Sequence, residues 1–133
     1  MRRISLTALF VLTGLASRGS APPPPNRPDL AAILRETKFI THGNYTGADT
    51  PEDQEPLRTA VNDAVRDVSA MPDPLDAVEV RNRLDRLLSK TDMFATEDRD
   101  EVGRYAVRIW RAAGFKEESG LFPVGDERAV ARH

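Results

Sequence analysis

The chain reads as all-α, a small single-domain bundle of about four helices, with an N-terminal signal peptide and an irregular C-terminal tail. Three observations lead there. Apolar residues recur three and four positions apart along successive segments, the spacing of one helix face. Helix-start chemistry precedes most of those segments. No run alternating apolar and polar residues exceeds about four positions, so strand content is expected to be low.

The first segment is an address rather than part of the fold. Residues 1–21 begin with Met1, Arg2 and Arg3, continue through an apolar stretch over residues 4–16, and end in the small residues Gly19, Ser20 and Ala21, the three-part layout of a secretory signal. The apolar stretch falls short of the ~20 residues a membrane span requires, so no stable membrane anchor is expected. Cleavage is placed after Ala21, or after Ala16 because Pro22 directly follows the first site. With no cysteine to lipidate, the exported product should be soluble and periplasmic or secreted.

Residues 22–28 (PPPPNRP) cannot form a regular helix or a central strand and are read as an extended polyproline spacer. A helical domain is assigned to residues 29–125 and a frayed tail to residues 126–133. Its first helix opens at Asp29, with Leu30, Ile33 and Leu34 on one face and Phe39 following. Residues 41–50 (THGNYTGADT) show neither apolar period and read as a polar loop. Ordered loops of such length often carry function.

Thr50-Pro51-Glu52-Asp53 supplies a capping hydroxyl, a proline at the first helical position and acids facing the positive end of the dipole. The second helix then repeats its apolar face at Leu57, Val61, Ala64, Val65 and Val68. Asp73-Pro74 is read as opening a third by the same chemistry, with Leu75, Val78, Leu84, Leu87 and Leu88 buried and Val80 off the stripe. Thr96-Glu97-Asp98 opens a fourth, whose stripe is Val102, Tyr105, Ala106, Ile109, Trp110 and Ala113, with Gly114 placed to stop it. Phe115, Leu121, Phe122 and Val124 are expected to fold back over the open end of the bundle, or to offer an apolar patch to a partner.

Composition narrows the function classes. Removing residues 1–21 leaves 112 of the 133 residues, enough for one core. The exported part holds 16 basic and 21 acidic side chains, a net charge of −5, which argues against nucleic acid and anionic lipid as partners. Without cysteine there is neither a disulfide framework nor a thiolate metal site. Arginine outnumbers lysine 16 to 3, a bias read as bacterial.

The stretch over residues 96–122 (TEDRDEVGRYAVRIWRAAGFKEESGLF) resembles a family of small bacterial proteins known as a domain of unknown function, family 4844. The likeness lies in an acidic helix start, a helix with a central aromatic, a glycine turn and the step Glu118-Ser119-Gly120-Leu121. The resemblance implies a helical domain of bacterial origin and carries over no catalytic, cofactor or binding residue.

Three groups of side chains could carry chemistry: the histidines, the acids and the basic stripes. His42 and His133 are the only histidines, too few for a histidine-built zinc site. His42 could serve as a base toward Thr41, Tyr45 or Thr46, but no nucleophile motif surrounds them, and a solvated loop histidine explains it equally. Glu97, Asp98, Asp100 and Glu101 open the fourth helix, where the dipole accounts for them, and their spacing lacks the pattern of a calcium loop. No cofactor motif occurs. Arg83-Arg86-Lys90 and Arg104-Arg108-Arg111 form two helical stripes, for which Glu79–Arg83 and Asp100–Arg104 are expected intrahelical pairs.

The expectation from sequence is an exported, non-enzymatic binding protein of the bacterial envelope, of inhibitor or immunity type, docking another envelope protein through Arg104, Arg108, Arg111, Leu121 and Phe122. A small periplasmic enzyme built on His42 is the second class. A helical module enclosing a small molecule is the third.

Overall fold

The computed structural model describes residues 27–117 and residue 121. Residues 1–21, read above as a signal, residues 22–26, the Glu118-Ser119-Gly120 step, Phe122, Val124 and the tail over residues 126–133 lie outside them. Four helices follow one another: α1 (Pro28–Arg35), α2 (Pro51–Ser69), α3 (Ala77–Lys90) and α4 (Thr96–Ala112). No strand occurs among the described residues, so the all-α bundle is the observed architecture.

Helix α2 is the central element, packing against α1, α3 and α4. Leu57, Val61, Ala64, Val65 and Val68 are fully buried along it, the face set by its spacing of three and four. Opposite lie Leu30 from α1, Leu84 and Leu87 from α3, and Val102, Ala106 and Ile109 from α4, also fully buried. Side chains of this kind contribute about 1.5–3 kcal/mol each when removed from water. That burial, not intrinsic propensity, holds helices of 8 to 19 residues together.

Helix starts differ from the sequence reading in instructive ways. Helix α1 begins at Pro28, one residue before Asp29, because proline suits the first helical position. Thr50 does occupy the N-cap of α2 with extended backbone, but its hydroxyl makes no cap bond. Asp73-Pro74 does not open α3. The pair, joined by a cis bond, lies in the preceding turn, and α3 starts at Ala77, where the Asp76 carboxylate accepts the Val78 N–H at 2.8 Å.

The buried face of α3 also differs from the sequence reading, because Val80 lies four residues before Leu84 and Val78 lies six before it. Val80, expected off the stripe, is fully buried, whereas Val78 is exposed. Counting from Val80, the buried positions Leu84, Leu87, Leu88 and Thr91 follow at helical spacing. Arg83 falls between the helices and pairs across to Asp67 of α2 at 2.5 Å, not along its own helix to Glu79.

The end of α4 follows its sequence closely. Gly114 adopts φ +102°, its N–H reaches the Arg111 carbonyl at 2.9 Å and the Phe115 N–H reaches the Trp110 carbonyl at 3.2 Å. Those two bonds are a Schellman cap, completed by the apolar contact of Phe115 on Trp110 with ring centroids 4.4 Å apart. Trp110 is buried, and its indole N–H donates to the Glu117 carbonyl at 2.9 Å. Leu121 is fully buried, so the chain folds back onto the bundle at that point.

A candidate binding cleft at the start of α4

Between α1 and α2 the chain crosses α4, and several residues of the crossing are held by separate interactions. Lys38 is wholly buried, its ammonium donating to the carbonyls of Ile33 at 2.5 Å and Glu36 at 3.0 Å. Both carbonyls lie at the end of α1, where the ladder of helical donors runs out; Ile33 keeps only the capping Glu36 N–H at 3.2 Å. Desolvation lowers the lysine's pKa. Phe39 follows at φ +60°, a left-handed conformation that costs an aromatic residue about 1–3 kcal/mol. Its buried ring offsets that cost against Tyr45 and Tyr105, at centroid distances of 6.4 and 5.7 Å.

The polar loop over residues 41–50 is an ordered strap. His42 and Tyr45 exchange both backbone hydrogen bonds at 2.9 Å, closing a tight turn over Gly43 and Asn44, with Gly43 at φ +54°. The turn aims Tyr45 inward. Its hydroxyl donates to Asp98 Oδ1 at 2.8 Å, and the Asp49 N–H donates to Asp98 Oδ2 at 3.0 Å. Burial, and then the Asp98 carboxylate, drive the Tyr45 phenol far above its ordinary pKa.

Glu101 is the second anchor. Although 98 % hidden from solvent at its side chain, it receives His42 Nε2 on one oxygen and Arg104 Nε, at 2.7 Å, on the other. His42 is thus an exposed histidine bonded to a buried acid, not a purely solvated one. Arg104 turns to Glu101 in place of the expected Asp100.

Assigning the acids of α4 to the helix dipole alone therefore missed their main role. Asp98 and Glu101 are both buried. A signal for this is present in the sequence, because Asp98 lies four residues before Val102 and Glu101 four before Tyr105, on the apolar stripe itself. A buried carboxylate demands partners, and the loop over residues 41–50 carries them.

Above these anchors, His42, Gly43, Asn44, Glu97, Asp100 and Arg104 line an open cleft of about 350 Å³. Glu97 and Asp100 are exposed on its wall and make no ion pair with another described residue. The cleft offers carboxylates and the turn's polar groups to a ligand. It offers no free nucleophile: the Tyr45 hydroxyl is committed to Asp98, the Thr41 hydroxyl donates to the Thr46 carbonyl at 3.1 Å, and His42 Nε2 is committed to Glu101. Among the described residues no three acids or histidines are grouped to hold a metal ion.

The arginine stripe of α4 starts on the cleft wall at Arg104 and continues along the helix to Arg108 and Arg111, which do not line the cleft. Arg108 forks onto Glu36 at the end of α1, with Nη1 2.9 Å from Oε1, and stands 5.3 Å from the Tyr105 ring centroid. Arg104 is held by Glu101, and Arg111 is exposed and also engaged in an interaction of its own. The structure thus keeps Arg104, Arg108 and Arg111 on the surface, with Arg104 and Arg108 paired to Glu101 and Glu36. It places Leu121 in the core, apart from them, and Phe122 lies outside the described residues.

No helix of the described residues is long and apolar enough to cross a membrane. Comparison with known proteins returns a match to the family "Domain of unknown function (DUF4844)" over residues 21–123. The match covers most of the chain, and the protein belongs to that family. No curated protein and no solved structure matches it.

Proposed function

We propose that this member of the DUF4844 family is an exported, non-enzymatic binding protein of the bacterial envelope, which holds another envelope protein through the cleft between the strap over residues 41–50 and α4. One observation carries the reading. The groups a hydrolytic site would need free, the His42 imidazole and the Tyr45 hydroxyl, are spent on the buried carboxylates Glu101 and Asp98. The result is a firmly held polar surface, suited to recognition rather than proton transfer.

The basic stripe fits an accessory contact better than the central one. Arg104 and Arg108 already hold Glu101 and Glu36, so an acidic partner would have to compete with those acids. Charge-assisted bonds of that kind are not exchanged without loss.

The test is capture from an envelope extract with two baits, the unaltered chain and a Glu97→Lys/Asp100→Lys variant. Neither substituted residue holds the fold together among the described residues, so the variant should stay helical by circular dichroism. A partner retained by the first bait and lost by the second is the expected result. The same proteins on both baits, or none on either, would overturn the cleft as the docking surface.

A further inference from the structure

Residues 40–47, the body of the strap, form a loop closed at its neck, where the Ala48 N–H donates to the Phe39 carbonyl at 3.2 Å. Inside the loop, His42 and Tyr45 exchange their two backbone bonds and the Thr41 hydroxyl donates to the Thr46 carbonyl. These bonds begin and end within the loop, so none is lost when it swings as a whole.

Little fastens the loop to the helices. Of residues 40–46 only Tyr45 is buried. Two side-chain bonds reach out to α4 among the described residues, the Tyr45 hydroxyl to Asp98 at 2.8 Å and His42 Nε2 to Glu101. Each of those acids also has a partner that the loop does not supply. Asp98 keeps the Asp49 N–H at 3.0 Å, and Glu101 keeps Arg104 Nε at 2.7 Å. Lifting the loop therefore leaves neither carboxylate without a donor, which would otherwise make the motion prohibitive.

Both ends of the loop carry a pivot. Phe39 stands at φ +60° and Gly47 at φ +94°, and a few residues at the ends of a loop are what absorb the backbone change of a hinge. Strained backbone of the kind seen at Phe39 clusters at clamps and switches. The Phe39 ring, buried against Tyr105, fixes that pivot to the core.

We propose that residues 40–47 are a lid, hinged at Phe39 and Gly47, which opens as one body while the helices stay folded. Opening draws His42, Gly43 and Asn44 off the cleft wall, so the cleft exists only with the lid shut. Taking the Tyr45 ring out of the core keeps the open form a minority. A ligand in the cleft touches those residues in the closed form alone and holds the lid shut by its differential affinity. That regulation rests on the binding reading above; the motion itself does not.

Relaxation-dispersion NMR on the protein without a partner reads the motion directly. Expected are one shared exchange rate and one minor population for the amides of residues 40–47, with α2 and α3 quiet. Tyr45→Phe removes one of the two fastenings. Gly47→Ala opposes the closed backbone without a clash, since its Cβ would meet the Thr41 nitrogen at 3.5 Å. Each change should raise the open population by roughly tenfold and leave the helical amide shifts in place. Dispersion absent from the unaltered chain and from both variants would overturn the lid, and so would rates that differ along the loop or that α2 and α3 share. No partner enters this measurement, so failure of the capture experiment leaves the lid standing, and a rigid strap leaves the docking surface untouched.

Discussion

The Tyr45 hydroxyl, 4 % exposed as a residue, donates to the fully buried Asp98 carboxylate at 2.8 Å and fastens the strap over residues 41–50 to the first turn of α4. Asp98 also accepts the Asp49 N–H, so one carboxylate closes both arms of the strap. Order in the cleft depends on that acid.

Asp98→Ala should therefore cost more than Tyr45→Phe. Alanine strands two donors, a phenol and a backbone N–H, and each buried unsatisfied group costs about 1–3 kcal/mol. Phenylalanine removes one donor and leaves Asp98 its other. Denaturant midpoints of the two variants and the double variant decide this, and equal losses for both single changes would count against the two-armed role.

Both tyrosines of the chain sit with raised pKa values, Tyr105 pushed up to about 12 chiefly by burial and Tyr45 further still. The folded state holds their protons where an unfolded phenol, near pH 10, would release them. This contribution to stability is full below pH 10 and is lost as pH rises from there toward the folded values. Phenolate absorbance should accordingly appear together with loss of helical signal above pH 10, not as an independent earlier titration.

The Glu36–Arg108 fork joins the ends of α1 and α4 at the surface. The Arg108 guanidinium lowers the Glu36 pKa below its ordinary 4.5, so the pair stabilises the fold above that value and the gain fades as pH falls through the lowered one. Both side chains are more than a third exposed, which limits the pair to about 0.2–1 kcal/mol. Glu36→Gln should lose that much at pH 7, and its difference from the unaltered chain should shrink as pH falls below 4.5.

Gly114 and Trp110 make the end of α4 a paired test. A Cβ at Gly114 would meet nothing within 4 Å, so Gly114→Ala isolates the backbone cost of φ +102°, about 1–2 kcal/mol. Trp110→Ala removes a buried ring, the stack on Phe115 and the bond to Glu117, and should cost about 3–5 kcal/mol. Thermal melts that ranked the glycine change above the tryptophan change would contradict the packing described.

Export is checked directly by fusing residues 1–28 to a phosphatase that is active only outside the cytoplasm. Activity is expected, and replacement of Arg2 and Arg3 by glutamate should abolish it, because the cationic start orients the signal.

Local chemistry determined much of this protein from the sequence alone. Four amphipathic segments, the burial of Trp110 and the glycine stop at 114 follow from side-chain period and backbone freedom, which act within one or two helical turns. Where local signals competed, tertiary structure chose. Asp76 rather than Asp73-Pro74 caps α3, so the helix starts at Ala77. Arg83 and Arg104 each passed over an acid on their own helix, Arg83 for Asp67 on α2 and Arg104 for the more buried Glu101.

The site was the least legible part. Asp98 satisfies the dipole of α4 as any first-turn acid would, Glu101 follows one turn later, and nothing local says that Tyr45 and His42, more than fifty positions earlier, are their partners. Only the packing of α1 and α2 against α4 carries the strap across those acids. Once it does, the cost of burying an unpaired carboxylate leaves the strap one place to lie.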